Sequence, residues 1–317
     1  MTFTFRPAVR ENVGLLIGLM GSSGSGKTYT AMRLASGIAG DKSFCVIDTE
    51  AGRAKHYADQ FRFDHGDLTP PFSPARYAEA IEAADTAGYP VIVVDSASHA
   101  HAGDGGMLDM QQAEFERMGS RDSAKMASWI RPKTENKKMV QRLLQVRAHI
   151  ILAFRAEQKI DMVREDGKIK VVPKQSPVSI DGWIPICEKT LPFELTASFL
   201  LTADRPGVPR PIKLQEQHRA LFPLDKPIDE ESGRRLADWA RGGGHTARPL
   251  SPTISPPPSK PALIAEAKKY ARLAGVDDAG RAELRKEYCD GKDLHEATEA
   301  QLTALVTELK KRAGEAA

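Results

Sequence analysis

Eight residues near the start of the chain carry its most specific chemical signal. Gly21-Ser22-Ser23-Gly24-Ser25-Gly26-Lys27-Thr28 reads Gly-x-x-x-x-Gly-Lys-Thr in full. In that pattern the glycines let successive backbone N–H groups curl round phosphate oxygens, and the following helix turns its positive end to the same place. The lysine reaches the β and γ phosphates, and the threonine hydroxyl binds Mg²⁺. Lys27 and Thr28 take those roles here, and Tyr29 borders the same site. The implied ligands are ATP and Mg²⁺.

Two acidic segments stand where such chemistry needs them. Val91-Ile92-Val93-Val94 ends in Asp95, the position of a carboxylate that holds Mg²⁺, commonly through water. Phe44-Cys45-Val46-Ile47 ends in Asp48-Thr49-Glu50. Many ATPases of this kind carry a catalytic acid directly after the magnesium aspartate, but Asp95 is followed by Ser96. A carboxylate at the end of a neighbouring strand is then left to orient and deprotonate the attacking water. On residue type alone Asp48 and Glu50 both qualify.

The elements that must position these groups follow from the hydrophobic pattern. Val13–Met20, Phe44–Ile47, Val91–Val94 and His149–Phe154 are short apolar runs, expected as strands buried on both faces. Lys27–Ala39 and Ala75–Ala87 carry helical spacing, the second stopped by Gly88 and Pro90. Alternation of this kind implies a mostly parallel sheet flanked by helices, with active groups at the carboxyl ends of the strands. Gly21, Glu50 and Asp95 should therefore converge on one sheet edge. Ser96–Gly106 is expected as a loop, and helix follows to about Arg147, broken near Pro132. Lys159–Val163 and Lys168–Val172 flank Glu165-Asp166-Gly167 as a hairpin. Later strands are expected at Ser198–Thr202 and Pro211–Leu214, and a helix at Asp229–Ala240.

Composition sets the boundaries. The 317 residues allow one large α/β domain and a small accessory one. Six prolines and Gly242-Gly243-Gly244 mark residues 242–262 as a linker, giving domains at 1–241 and 263–317. Beyond the linker, Leu263–Ala274, Arg281–Tyr288 and Thr298–Arg312 read as three short helices, the last opening on a Thr298-x-x-Gln301 capping box. Three cysteines in no metal or disulfide spacing, and no apolar leader in the first residues, point to a soluble cytoplasmic protein with no membrane association. A net charge of +3 is mild, so any nucleic-acid surface must be a local patch.

With both acidic segments in place, a resemblance emerges. Phe44–Gly52 and Val91–Ser96 look like the corresponding segments of RecA/RadA-type recombinase ATPases, whose second acidic motif ends in Asp-Ser. Over about residues 12–242 the chain resembles bacteriophage RecA-core ATPases of the Sak-type single-strand annealing group, often labelled phage AAA-family ATP-binding proteins. The resemblance implies a RecA-like P-loop core with a small C-terminal helical domain, in a phage protein of the host cytoplasm. It maps the water-activating glutamate onto Glu50 rather than Asp48. Arg155 takes the place of a polar γ-phosphate sensor that is usually glutamine, a departure that still suits the same charge.

The resemblance also implies ATP at the interfaces of a homo-oligomer and single-stranded DNA on two loops, Ser96–Leu108 and Ala156–Ile180. The second loop carries Lys159, Arg164, Lys168, Lys170 and Lys174. These cations suit phosphates, and they equally suit a solvated hairpin. Arg131–Arg147 reads as a solvated basic helix face, and His99, His101 and Asp104 lack further metal partners. The C-terminal helices would recruit a recombination or replication partner. Rival readings are a helicase loader, translocase or other replication motor, and an annealing module that uses ATP as a switch with little turnover.

Overall fold

Apolar runs that end in glycine or a carboxylate become the centre of the sheet. The structure, a computed structural model, describes residues 8, 10, 13–165, 168–242 and 259–314. Contacts divide the chain into two compact units, Met1–His245 and Thr246–Ala317. Most of the expected linker, residues 243–258, lies outside the described residues, as does the Asp166-Gly167 turn.

The first unit opens with β1 (Leu16–Gly21), α1 (Lys27–Ala39), β2 (Phe44–Asp48), β3 (Phe63–Asp67), α2 (Pro74–Thr86) and β4 (Val91–Asp95). There follow α3 (His99–Ala102), α4 (Met107–Arg117), α5 (Ile130–Leu143), β5 (His149–Gln158), β6 (Ile160–Glu165), β7 (Lys168–Pro173) and β8 (Trp183–Pro185). It closes with α6 (Leu191–Glu194), β9 (Ala197–Leu201), β10 (Arg210–Lys213), α7 (Glu216–Arg219) and α8 (Glu230–Ala240). The main sheet runs β10-β9-β1-β5-β4-β2-β3, with β8 paired to the end of β5. From β9 to β3 every pairing is parallel; β10 and β8 are antiparallel. The fold is α/β, a mostly parallel sheet between helices, as the pattern implies.

Alternation along β1 divides the core. Leu16 and Met20 face one layer with Tyr77 and Ile81 of α2 and Met139 and Leu143 of α5. Ile17 and Leu19 face the other, with Met32, Leu34 and Ile38 of α1 and Leu236 of α8. Both sheet faces are thus dry, which is why these strands read as continuous apolar runs. On the second face α1 and α8 approach at glycines. A Cβ on Gly37 would stand 2.0 Å from the Glu230 carbonyl oxygen, and one on Gly233 2.3 Å from that of Leu34. The bidentate pair from Arg33 to Glu230, at 2.8 and 2.5 Å, fixes the same crossing.

Several expectations change. The helical break falls between Met118 and Trp129, where two 3₁₀ turns intervene, and Pro132 sits inside α5. It is the third residue of that helix, where its missing N–H removes no helical bond. The expected loop at Ser96–Gly106 contains the one-turn α3. β3 (Phe-Asp-His-Gly-Asp) has no apolar run, because as an edge strand it buries little. β6 and β7 form the expected hairpin as a separate two-stranded sheet.

The second unit contains α9 (Lys260–Leu273), α10 (Asp278–Tyr288) and α11 (Glu299–Arg312). Its core joins Leu263, Tyr270, Leu284, Leu302, Leu305 and Leu309. The Thr298–Gln301 capping box is formed in full.

Candidate functional site

The phosphate loop joins β1 to α1, and its geometry depends on glycine. Gly24 and Gly26 have φ of 78° and 82°, a left-handed conformation that side chains disfavour. Gly26 is also the capping residue just before α1 and brings no side chain to it, so the first N–H groups of a 13-residue helix are left to a ligand. Ser25 is fully buried, its hydroxyl donating to the Ser22 carbonyl at 2.8 Å. Lys27 Nζ donates to the same carbonyl at 2.7 Å. Burial lowers the Lys27 ammonium, an effect opposed by Asp95 and Glu50.

Strand order brings the distant acids to this loop. β5 lies between β1 and β4, with Arg155 in register with Gly21 and Ala153 with Asp95. β2 lies beyond β4, with Asp48 in register with Asp95. One cavity of about 720 Å³ is lined by Gly21, Ser22, Ser23, Gly24 and Gly26, by Lys27, Thr28 and Tyr29, and by Glu50, Asp95 and Arg155. Of the residues singled out for nucleotide and metal, only Ser25 is not on its surface, being packed beneath the loop. The five hairpin cations, Lys159, Arg164, Lys168, Lys170 and Lys174, do not line it. Lys159 stands 3.6 Å from Glu157, and Lys174 3.6 Å from Asp161.

The Thr28 hydroxyl donates to Asp95 Oδ2 at 2.5 Å. Asp95 is 7% exposed, and its burial pushes the carboxyl up to about 6 although the Thr28 hydroxyl pulls the other way. Two hard oxygen donors side by side at the mouth of a phosphate loop fit Mg²⁺, which takes few protein ligands and completes its shell with water and phosphate. The backbone after Asp95 is pinned from two sides. Ser96 donates its N–H to Thr49 Oγ1 at 2.8 Å, and its carbonyl accepts from Tyr77 Oη at 2.8 Å.

The structure separates Asp48 from Glu50. Asp48 is 2% exposed and its carboxylate serves the backbone. Oδ1 accepts from the Glu50 N–H at 2.6 Å and Oδ2 from the Ala54 N–H at 2.8 Å, with His65 Nε2 a further 3.2 Å away. It anchors the turn that presents Glu50 to the cavity. Glu50 Oε1 accepts from Arg155 Nη2 at 2.6 Å, and Oε2 from Arg53 Nη1 at 2.6 Å. Burial alone would raise the Glu50 carboxyl; Arg155, then Arg53, reverse this and hold it below the ordinary carboxylate range.

Arg53, Tyr57 and Ile186 also line the cavity, and no sequence motif marks them. Tyr29 packs against Tyr57 at 5.7 Å and Phe61 at 5.6 Å between ring centroids, an aromatic ledge along one wall. The signal was dispersed, since Tyr29 comes from α1 and its partners from the turn after β2. His99 Nδ1 lies 2.8 Å from Thr49 Oγ1, and its imidazolium is disfavoured by burial and then by Arg155. No cluster of three or more His, Cys, Asp or Glu suited to a metal occurs among the described residues.

No curated protein matches the chain. Residues 14–189, from the strand before the phosphate loop to just past β8, match a protein-family model described as an AAA domain. The match spans more than half of the chain and contains every residue placed around the cavity. By this match and by its site, the chain belongs to the AAA domain family of P-loop ATPases.

Proposed function

We propose that the chain hydrolyses ATP with Mg²⁺ through Lys27 and Glu50, and that it uses this turnover as a RecA-like protein acting on single-stranded DNA in recombination or strand annealing. The observation that carries the first part is convergence. One cavity unites a phosphate loop, a Thr28–Asp95 oxygen pair, a carboxylate and an arginine from four parallel strands.

In this reading the loop N–H groups and Lys27 hold the β and γ phosphates, and the aromatic ledge of Tyr29 and Tyr57 packs against the base. Bound at Thr28 and Asp95, Mg²⁺ supplies charge neutralisation across the phosphates. Glu50 accepts a proton from water as the water oxygen bonds to the γ phosphorus. The bond from that phosphorus to the bridging oxygen breaks, and ADP leaves with the electron pair. Arg155 compensates the charge that develops on the γ-phosphoryl group.

The DNA part rests on the hairpin. β5 runs from Arg155 into β6, so the hairpin is continuous with the strand that carries the arginine. One face of the hairpin exposes Ile160, Met162, Ile169 and Val171, each more than half accessible. Apolar side chains and cations side by side suit unstacked bases and their phosphates. A homo-oligomer with ATP between copies, phage origin and a partner for the C-terminal helices belong to the same reading.

The test is ATP turnover with and without single-stranded DNA, together with filter binding in a non-hydrolysable ATP analogue. DNA should raise turnover severalfold, and capture should weaken with salt as phosphate contacts require. Lys168→Glu combined with Arg164→Glu should lose the stimulation and keep the basal rate. Turnover indifferent to DNA, with no nucleotide-dependent capture, would remove the nucleic-acid part and leave an ATPase with another client.

A further inference from the structure

Both oxygens of Glu50 are engaged by arginines. Arg155 reaches Oε1 through Nη2 at 2.6 Å and Nε at 3.2 Å, and Arg53 reaches Oε2 through Nη1 at 2.6 Å. A carboxylate stabilised from both sides is a weak proton acceptor. Water activation requires the opposite. Something must loosen this grip at the right moment, and the two arginines stand differently toward it.

Arg155 is in register with Gly21, the first residue of the phosphate loop. A γ-phosphate seated in that loop offers its guanidinium a second anion, more highly charged than a carboxylate. The Arg155 backbone need not move for this exchange. Its N–H donates to Ser98 Oγ at 2.9 Å and its carbonyl accepts from the Ile186 N–H at 2.8 Å, so the strand holds while the side chain, 51% exposed, can turn. Arg53 lies three residues beyond Glu50 on the turn that Asp48 anchors through the Glu50 and Ala54 N–H groups. It travels with Glu50.

We propose that Arg155 exchanges Glu50 for the γ-phosphate when a nucleoside triphosphate binds, freeing Oε1 for the attacking water, while Arg53 keeps Oε2 and positions the carboxylate. This rests on the reading that Glu50 activates water. Arg53 is thereby a positioning residue, and the exchange makes the site respond to a triphosphate and not to a diphosphate. With its Arg53 end exposed, the Arg53–Glu50 pair adds little to stability, so its effect belongs to orientation.

The test measures binding as well as rate. Calorimetric titration with a non-hydrolysable ATP analogue and with ADP is set beside steady-state hydrolysis for the wild type, Glu50→Gln, Arg53→Gln and Arg53→Lys. Glu50→Gln no longer competes as an anion for Arg155, so it should bind the triphosphate analogue about tenfold more tightly, the scale of one charge-assisted hydrogen bond, with ADP unchanged. Arg53→Gln should lower kcat about tenfold or more at nearly constant KM, and Arg53→Lys should restore part of the rate. If Glu50→Gln loses hydrolysis but keeps the wild-type ratio of triphosphate to diphosphate affinity, the exchange is overturned and Glu50 remains the base. An Arg53→Gln enzyme with wild-type kcat removes the positioning role. Should Glu50→Gln hydrolyse ATP at the wild-type rate, the water-activation reading fails, and the proposal with it.

Discussion

Asp95 illustrates at the scale of one residue how a site is built against stability. Its carboxyl is buried and pushed up to about 6, well above its value in an unfolded chain. An acid whose folded pKa is raised destabilises the fold progressively as pH rises from its unfolded value to its folded one, with the full penalty above the folded pKa and none below the unfolded value. At pH 7.5 Asp95 is ionised at a cost of about 1–3 kcal/mol, which the proposed binding of Mg²⁺ and nucleotide would offset. Asp95→Asn, which still accepts the Thr28 hydroxyl, should therefore melt at a higher temperature than the wild type while losing Mg²⁺-dependent hydrolysis. Thermal unfolding without nucleotide decides it; a lower melting temperature would contradict the account. His149 shows the converse pH dependence. Its Nδ1 accepts the Leu15 N–H at 3.2 Å, and burial, aided by Arg241, lowers the imidazole to about 4. Stability from the neutral ring is full above the unfolded pKa near 6.5 and falls as pH drops from there to about 4, by about 3 kcal/mol in all. His99, His101 and His218 are lowered too, so the contribution of His149 is the difference between wild type and His149→Asn in urea unfolding at pH 7.5 and pH 5. Equal losses in the two proteins would contradict it.

Among the elements, α1 has two tasks, presenting its first turn to phosphate and carrying α8 on its flank. The crossing is close because Gly37 and Gly233 face carbonyls with no room for a methyl group. Alanine at a helix interior normally gains about 1 kcal/mol over glycine. Here Gly233→Ala should instead lose about 1–3 kcal/mol from overpacking, read as a lower urea midpoint at unchanged slope. An unchanged or raised midpoint would show the contact to be slack. Neither glycine announced this in the sequence, since a crossing is a property of two elements. The phosphate loop was legible because its whole geometry is local, and α1 begins and ends where helical spacing placed it. The inserted position of β5 was not legible, because hydrophobic runs do not encode strand order. Asp48 and Glu50 could not be told apart by type; burial and two backbone N–H groups separate them. Arg53 and Tyr57 carried no motif, and β3 no apolar run.

For the molecule as a whole, each unit has its own hydrophobic core, and the cavity draws on the first alone. A chain ending at Gly242 should keep the basal ATP turnover of the full protein, while contacts made by α9–α11 with any partner would be lost. Loss of basal turnover in a folded, truncated protein would mean that the second unit contributes to the site. None of the described helices is long and apolar enough to cross a membrane.

The central claim is that Lys27 and Glu50 hydrolyse ATP in the cavity between β1, β2, β4 and β5. Steady-state phosphate release with Mg²⁺, compared for the wild type, Lys27→Ala and Glu50→Gln, tests it most directly. The account predicts turnover in the wild type and a loss of about 10²-fold or more in both variants, with Glu50→Gln still binding nucleotide. Turnover that survives either substitution, or a folded wild type that binds ATP and never hydrolyses it, would contradict it.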